Sequence, residues 1–355
     1  MVNKKATIKD VASHSQVSIK TVSRVINNEY GVSKTTKSKV LKSIKALDYN
    51  PNKAAQGLRS KKSFLIGLVY DNPDKFYLSD IQSGVLETCA INGFSVVLFP
   101  CDHQDRDLTE DLIEFSKRTN LDGLILTPPI SDMKELVKNL QLEIPLCVVS
   151  PGLLTSNPLC VSSDDFKASY SMTCHLIKKG HSKIGFIKGH KGHGATQHRL
   201  DGYLSALTDN NIVVNEDNIT EGDFSFDSGE IAAKQLLKKG TSKVTAIFAS
   251  NDAMAAGVMK AAHKAKINIP NDISLVGFDN SPTASQAWPS ITTIAQPIKE
   301  MATFAAQILI DNISNKSEKK NVNKVFGSEL IFRAVSYTHL RAHERRGNLV
   351  CRLVL

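Results

Sequence analysis

The 355-residue chain is 41% hydrophobic and 22% charged, an ordinary balance for a soluble globular protein with room for two or three domains. Its net charge of +9 is unevenly placed. Residues 1–62 hold 14 Lys/Arg against 3 Asp/Glu and residues 333–355 hold 5 against 1, so the body between them is acidic. That pattern implies a polyanion partner for the N-terminal module alone. The six cysteines (Cys89, Cys101, Cys147, Cys160, Cys174 and Cys351) show no CxxC spacing and read as free thiols in a reducing compartment. The basic start lacks an apolar signal core, and no apolar run approaches the ~18 residues of a membrane span. A cytoplasmic protein with no membrane partner is expected.

Taken in order, the first patterned stretch is Thr7–Asn28. Ile8, Val11 and Ala12 mark one face of a first helix, a break follows at Ser15-Gln16, and Ser18 is placed to cap a second helix. On that second helix Val22, Val25 and Ile26 share a side, while Lys20, Arg24 and Asn27 share the opposite one. Such a face suits the major groove, because Arg and Lys reach guanine acceptors and Asn the edge of adenine. In isolation the same pattern also fits a helical hairpin with a solvated charged face. A third helix runs to about Asp48, with Val40, Leu41, Ile44 and Leu47 expected in a small core and four lysines outside. Tyr49-Asn50-Pro51 ends it. Asn52 then caps the short segment NKAAQGLRS, a poor helix alone because of Gly57.

From Phe64 the pattern changes. Short apolar runs (FLIGLVY, SVVLF, DGLILT, IPLCVVS, KIGFIKG, VTAIFAS, ISLVGFD) alternate with amphipathic helical stretches. Strands spaced by helices of 10–15 residues predict βαβ units with parallel sheets. Two series of about 100 residues each predict two sheets, with a ligand cleft at the carboxyl ends of the strands.

Dense motifs then carry a resemblance: TIKDVA, VSIKTVSRVIN, VSKTT and YNPNKAAQGLRS at the N-terminus, and later RLDGY, FASNDAMAAGVMKAA, IPNDISLVGFDN and PSITTIAQP. The chain resembles the lactose/galactose repressor family of bacterial transcription regulators over roughly residues 6–335. The resemblance implies an α/β protein with an N-terminal three-helix helix-turn-helix domain (1–49) and a hinge helix with linker (50–62). A periplasmic-binding-protein-like two-lobed domain with parallel sheets (63–335) would handle effector binding and dimerisation. It places the DNA contacts on Ser18, Ile19, Lys20, Thr21, Ser23, Arg24, Asn27, Asn52 and Leu58. Ile19, Lys20 and Arg24 would read bases, Thr21, Ser23 and Asn27 would hold phosphates, and Leu58 would wedge into the minor groove. The effector contacts fall on Tyr77, in what reads as a loop, and on Asp164, Arg199, Asn251 and Asp279, a set suited to a sugar or similar polyol. The partners implied are double-stranded operator DNA, a small sugar-like effector and a second copy of the chain. No enzyme activity, cofactor or metal is expected.

Departures from the family pattern accompany this reading. Gln16 stands where the family's tight turn has glycine, so the turn must adapt or bear strain. Ser150-Pro151-Gly152 replaces a common Asp-Arg pair, so the contacts of that loop are not carried over. VSYTHLRAHERRGNLVCRLVL, from about residue 336, reads as foreign sequence and is left out of any site. No heptad repeat is sustained, so a dimer is expected. His190, His193 and His198 lack neighbours at zinc-ligand spacing. GHKGHG carries its glycines in the wrong order for a dinucleotide site. Asp164 and Asp165 are adjacent at a strand end and should point apart, which argues against a shared acid pair. The competing interpretation is a sugar-binding or sugar-modifying α/β protein whose basic N-terminus is incidental.

Overall fold

A computed structural model describes residues 6–26, 30–49, 62–152, 159–238, 244–314 and 321–334. Asn27, Asn52, Leu58 and the tail from 336 lie outside the described residues. The chain divides into two compact units, with the boundary between Phe64 and Leu65.

The first unit contains α1 (Ile8–Ser15), α2 (Ile19–Ile26) and α3 (Lys34–Ala46). Thr7 and Asp10 form a reciprocal capping box at the start of α1, which satisfies two N–H groups that have no partner within the helix. The Ser18 hydroxyl accepts from Thr21 N at 3.1 Å and so caps α2 as the sequence predicts. Val11, Val22 and Val40 are fully buried where the three helices meet, with Ala12 and Val25 beside them. Leu41 departs from expectation, being 48% exposed. The core face of α3 is carried by Val40, Ser43, Ile44 and Leu47. A residue one position past Val40 is turned about 100° around the helix, away from that core. Ser43, a residue the apolar pattern skips, is buried and meets His14 Nδ1 at 3.0 Å.

Gln16 ends α1 with φ 51° and ψ 41°, the left-handed region, and its N–H returns to the carbonyls of Ala12 and Ser13. The turn therefore keeps the backbone shape that glycine favours and carries the strain of a side chain there, while the Gln16 amide oxygen accepts from Lys39 Nζ at 3.2 Å. Gln16→Gly should stabilise the first unit by about 0.5–1 kcal/mol. Gln16→Val, which adds a branched Cβ at positive φ, should destabilise it. Thermal unfolding of the two variants reads both signs.

In the second unit the order is β1 (Leu65–Tyr70), α4 (Lys75–Ile91), β2 (Ser95–Pro100), α5 (Leu108–Thr119), β3 (Gly123–Leu126), α6 (Lys134–Glu143), β4 (Leu146–Val149) and β5 (Leu159–Ser163). Next come α7 (Asp165–Lys178), β6 (Ile184–Ile187), α8 (Gly194–Asp209), β7 (Ile219–Thr220), α9 (Phe226–Lys238), β8 (Ala246–Ala249), α10 (Asp252–Lys264), β9 (Ser274–Val276) and α11 (Pro282–Gln286). The chain closes with β10 (Thr293–Ala295), α12 (Ile298–Ser314), β11 (Val322–Phe326) and β12 (Glu329–Ile331). One sheet runs β11-β5-β4-β3-β1-β2 and the other β7-β6-β8-β9, and every pair within them is parallel. β3, β4, β6 and β8 are buried along their whole length, which is why they read as unbroken apolar runs.

Each sheet with its helices is a lobe, and the chain passes between lobes three times among the described residues. It leaves the first lobe after β5, returns after β10 to lay α12 against α4 and add β11 beside β5, then crosses back to pair β12 antiparallel with β10. A Cβ at Gly84 would fall 2.5 Å from the Lys299 carbonyl oxygen, so α4 and α12 approach closely only because that position is glycine.

Candidate functional site

The strand ends dictate where function sits. In both lobes the loops after the strands meet at one cleft, which is narrow, with about 30 Å³ of space open to water-sized groups between its walls. Tyr77, Arg199, Asn251 and Asp279 line it.

Tyr77 lies in the first turn of α4 rather than in a loop, because Asp74 caps that helix by accepting from Phe76 N and Tyr77 N. Arg199 lies within α8, where its side chain reaches across the strand ends. It is 5% exposed. Its Nε–H donates to Asp165 Oδ1 at 2.8 Å, Nη1 donates to the Ser250 carbonyl, and Nη2 stands 3.8 Å from Asp279 Oδ1. The guanidinium carbon lies 3.6 Å from the centre of the Phe278 ring, a cation–π contact in a desolvated setting. Asn251 caps α10 through its side-chain oxygen, and its Nδ2 donates to Asp74 Oδ2 at 2.9 Å and to the Phe224 carbonyl.

Asp164 does not join them. Its carboxylate caps α7 by accepting from Lys167 N, and it borders a neighbouring cavity beside Val325. The residue of this loop that faces the cleft is Asp165, held by Arg199, by Gln296 Nε2 at 3.0 Å and by Ser163 Oγ. Asp165 borders both cavities, whereas Asp164 borders only the neighbouring one of the two. Sequence reasoning also missed Asp74, Ser150, His193 and Gln296 in the lining. Gln296 was within reach, since it sits in the quoted motif PSITTIAQP.

Three buried polar atoms of this wall lack a well-formed hydrogen bond within the protein: Tyr77 Oη and Ser150 Oγ, which lie close enough to act on one another, and Asp279 Oδ1. Asp279 and Ser150 also have positive φ, 97° and 49°, a backbone strain that clusters at binding sites. Burial pushes the Asp279 carboxyl well above its ordinary range, the Arg199 guanidinium opposing it and Asp74, Asp252 and Asp165 adding to it. Burial likewise raises the Tyr77 phenol, with the Ser150 hydroxyl acting the other way.

Several contacts tie the lobes across the cleft. Asn251 reaches Asp74, as above. Asp132, after β3, accepts from Gly152 N at 2.6 Å in its own lobe and from Gly194 N at 3.0 Å at the start of α8 in the other. Gly152 and Gly194 touch backbone to backbone, and a Cβ on either would overlap the other's Cα. His198 Nε2 donates to the Gly152 carbonyl. The unusual Ser150-Pro151-Gly152 loop thus seats α8 where a larger side chain has no room. The histidine-rich segment lies beside this contact. His103 of the first lobe, His190 and His193 stand in sequence with ring centres 5.1 and 5.3 Å apart, and His193 meets Phe224.

In the first unit, Ser18, Ile19 and Lys20 are exposed at the start of α2, while Thr21, Ser23 and Arg24 are half-buried along it. Val22 and Val25 anchor the helix from behind. This is a helix-turn-helix with its second helix presented outward, as major-groove readers require.

A helix-turn-helix unit followed by a two-lobed parallel α/β unit with a polar cleft defines a ligand-responsive DNA-binding regulator. The chain belongs to the LacI family. The model of bacterial regulatory proteins of the lacI family matches residues 7–52, and that of the periplasmic binding protein-like domain matches residues 173–335. The HTH-type transcriptional repressor PurR of Vibrio campbellii (strain ATCC BAA-1116) is 32% identical over 321 residues, 89% of this chain and 95% of that one. The lac repressor dimer bound to operator and the anti-inducer ONPF superposes with a TM-score of 0.75 at 27% identity, covering 94% and 99% of the two chains. The transcriptional regulator CelR in its cellobiose complex does so with a TM-score of 0.71 at 28% identity, covering 93% and 99%. No helix among the described residues is long and apolar enough to cross a membrane.

Gly194→Ala should hold the lobes apart, because the added methyl meets backbone rather than a movable side chain. The radius of gyration from small-angle scattering should rise while helix content by circular dichroism stays unchanged.

Two buried groups set opposite pH dependences. Burial, with His190 and Arg199 adding to it, holds His193 down at about 3 against 6.5 when free. The unfolded chain therefore binds the extra proton between those values, and stability falls as pH drops from 6.5 towards 3. Burial pushes Asp252 up to about 7 from 3.8, against hydrogen bonds from Thr293 and Ser281. Its contribution is fully present below 3.8 and is lost as pH rises through about 7. In melting profiles against pH, His193→Phe should flatten the acid side and Asp252→Asn the neutral side.

Proposed function

We propose that the chain is a transcriptional repressor that acts in the cytoplasm, binds a palindromic operator as a homodimer and responds to a small sugar-like effector in the cleft. The observation that carries the effector assignment is the group of buried, poorly satisfied polar atoms on Tyr77, Ser150 and Asp279, next to the Arg199 fork and the Phe224 ring. Buried polar groups are normally satisfied. A polyol supplies hydroxyls that both donate and accept, and an aromatic face takes the apolar side of a sugar ring.

The output follows from linkage. The effector adds contacts to one relative position of the lobes and so shifts that equilibrium by its differential affinity for the two positions. Operator affinity changes by the same coupling factor. On the DNA side, Lys20 and Arg24, with Ile19, are assigned to base edges and Thr21, Ser23 and Asn27 to phosphates. Asn52 and Leu58 are assigned to the hinge, Leu58 as the minor-groove wedge.

Gel shifts test the DNA reading. Arg24→Ala should lose about 1–3 kcal/mol of discrimination between operator and random DNA, and binding should weaken steeply with salt because phosphate contacts release counterions. Unchanged discrimination would remove Arg24 from the base-reading set. Calorimetry tests the cleft: Arg199→Ala should abolish binding of any sugar that releases the wild-type protein from DNA.

A further inference from the structure

The charge of the cleft carries a statement about its ligand, and it rests on the effector assignment above. Three carboxyl groups line the wall, those of Asp74, Asp165 and Asp279, the last pushed towards its neutral form by burial. Arg199 is the single Lys or Arg among the described residues lining it, and His193 is held neutral by burial. Asp252 lies close enough behind the wall to act on Asp279.

The arginine is already committed. Asp165 takes Nε, the Ser250 carbonyl takes Nη1, and Phe278 covers one face of the plane. A phosphate or carboxylate is bound well by a free bidentate fork, which Arg199 does not offer.

The second common cradle for an anion is a helix N-terminus with open N–H groups. The termini that border the cleft carry side-chain acceptors already. Asp74 occupies α4, Asp132 occupies α8, Asp164 occupies α7 and Asn251 occupies α10. Three of these four acceptors are carboxylates, which repel an incoming anion as well as blocking it. Lys188, directly after β6, pairs with Glu221 at 2.8 Å.

We propose that the cleft selects polyols without an anionic group, so that the protein responds to a free sugar and excludes its phosphate ester and its sugar acid. Asp279 Oδ1, on a side chain 9% exposed, faces Arg199 Nη2 at 3.8 Å without a hydrogen bond and is the acceptor that reads a ligand hydroxyl.

The test is calorimetry on the full chain with a panel of pentoses, hexoses and β-linked disaccharides, each beside its terminal phosphate and its uronate. Gel shifts on operator DNA run in parallel. A free sugar should bind and alter operator affinity, with its phosphate and its acid at least 100-fold weaker. Asp74→Asn, which keeps an acceptor at the α4 cap, should narrow that gap at least tenfold by removing one repelling charge. A phosphate or acid that binds within tenfold of its parent, and loses binding in Arg199→Ala, overturns the charge selection and leaves the effector cleft standing. Failure of every compound, charged or neutral, to bind or to alter operator affinity overturns the effector assignment itself.

Discussion

One buried guanidinium organises the two-lobed unit. Arg199 extends from α8 to the place where the chain crosses between lobes, bonds Asp165 there, reaches the end of β8 through the Ser250 carbonyl and stacks on Phe278 after β9. A charge removed from water is tolerated only when its donors are satisfied by fixed acceptors, and a lone buried ion pair would be unfavourable. Here the acceptors are themselves fixed: Gln296, in the second crossing, and Ser163, in the first, both donate to Asp165. The strand ends of the second lobe are thereby tied to both crossing segments through a single side chain, and the remaining binding groups are placed around it.

The same arrangement accounts for what is left unsatisfied. Asp165 has three donors, while Asp279, opposite, sees Arg199 at 3.8 Å and no hydrogen bond at Oδ1. Packing has satisfied one aspartate at the expense of the other. Asp279 also holds a backbone conformation of positive φ, which persists only where surrounding structure determines it. Its N–H donates to the Ile294 carbonyl, so the β10 region pins that strained residue against the cleft.

Much of this architecture was legible in the residues. Strands buried on both faces announce themselves as runs such as LCVV and AIFA, and helices between them as apolar positions three and four apart. The helix pair of the first unit was readable to its caps, at Ser18 above all. What failed depends on geometry that spacing does not encode. Asp164 and Asp165 are chemically identical neighbours, and only the direction in which β5 ends decides which one meets Arg199. β11 reads VNKVF, half-exposed and without a continuous apolar run, so its place beside β5 comes from a long-range pairing rather than from local pattern. Leu41 looked like core because it is leucine, yet the face of α3 that meets the other helices is carried by Val40, Ser43 and Ile44, and Leu41 lies off it. Gln16 is the reverse case, a departure visible in the sequence whose consequence, a left-handed backbone retained without glycine, required the structure.

The Gly152–Gly194 contact bears on how the protein's response is tuned. Two residues without side chains touch across the lobes, under an aspartate that bonds both of their N–H groups. The balance between a narrow and a wide cleft therefore depends on a spot that belongs neither to the ligand-lining wall nor to the base-reading helix. Fractional occupancy of the closed form scales the apparent affinity for whatever closes it. A single carbon atom added at this spot is expected to shift the balance of the lobes, and with it the concentration at which the switch responds, without altering a cleft-lining or base-reading side chain. Sensitivity and specificity are then separable traits, free to vary independently within one chain.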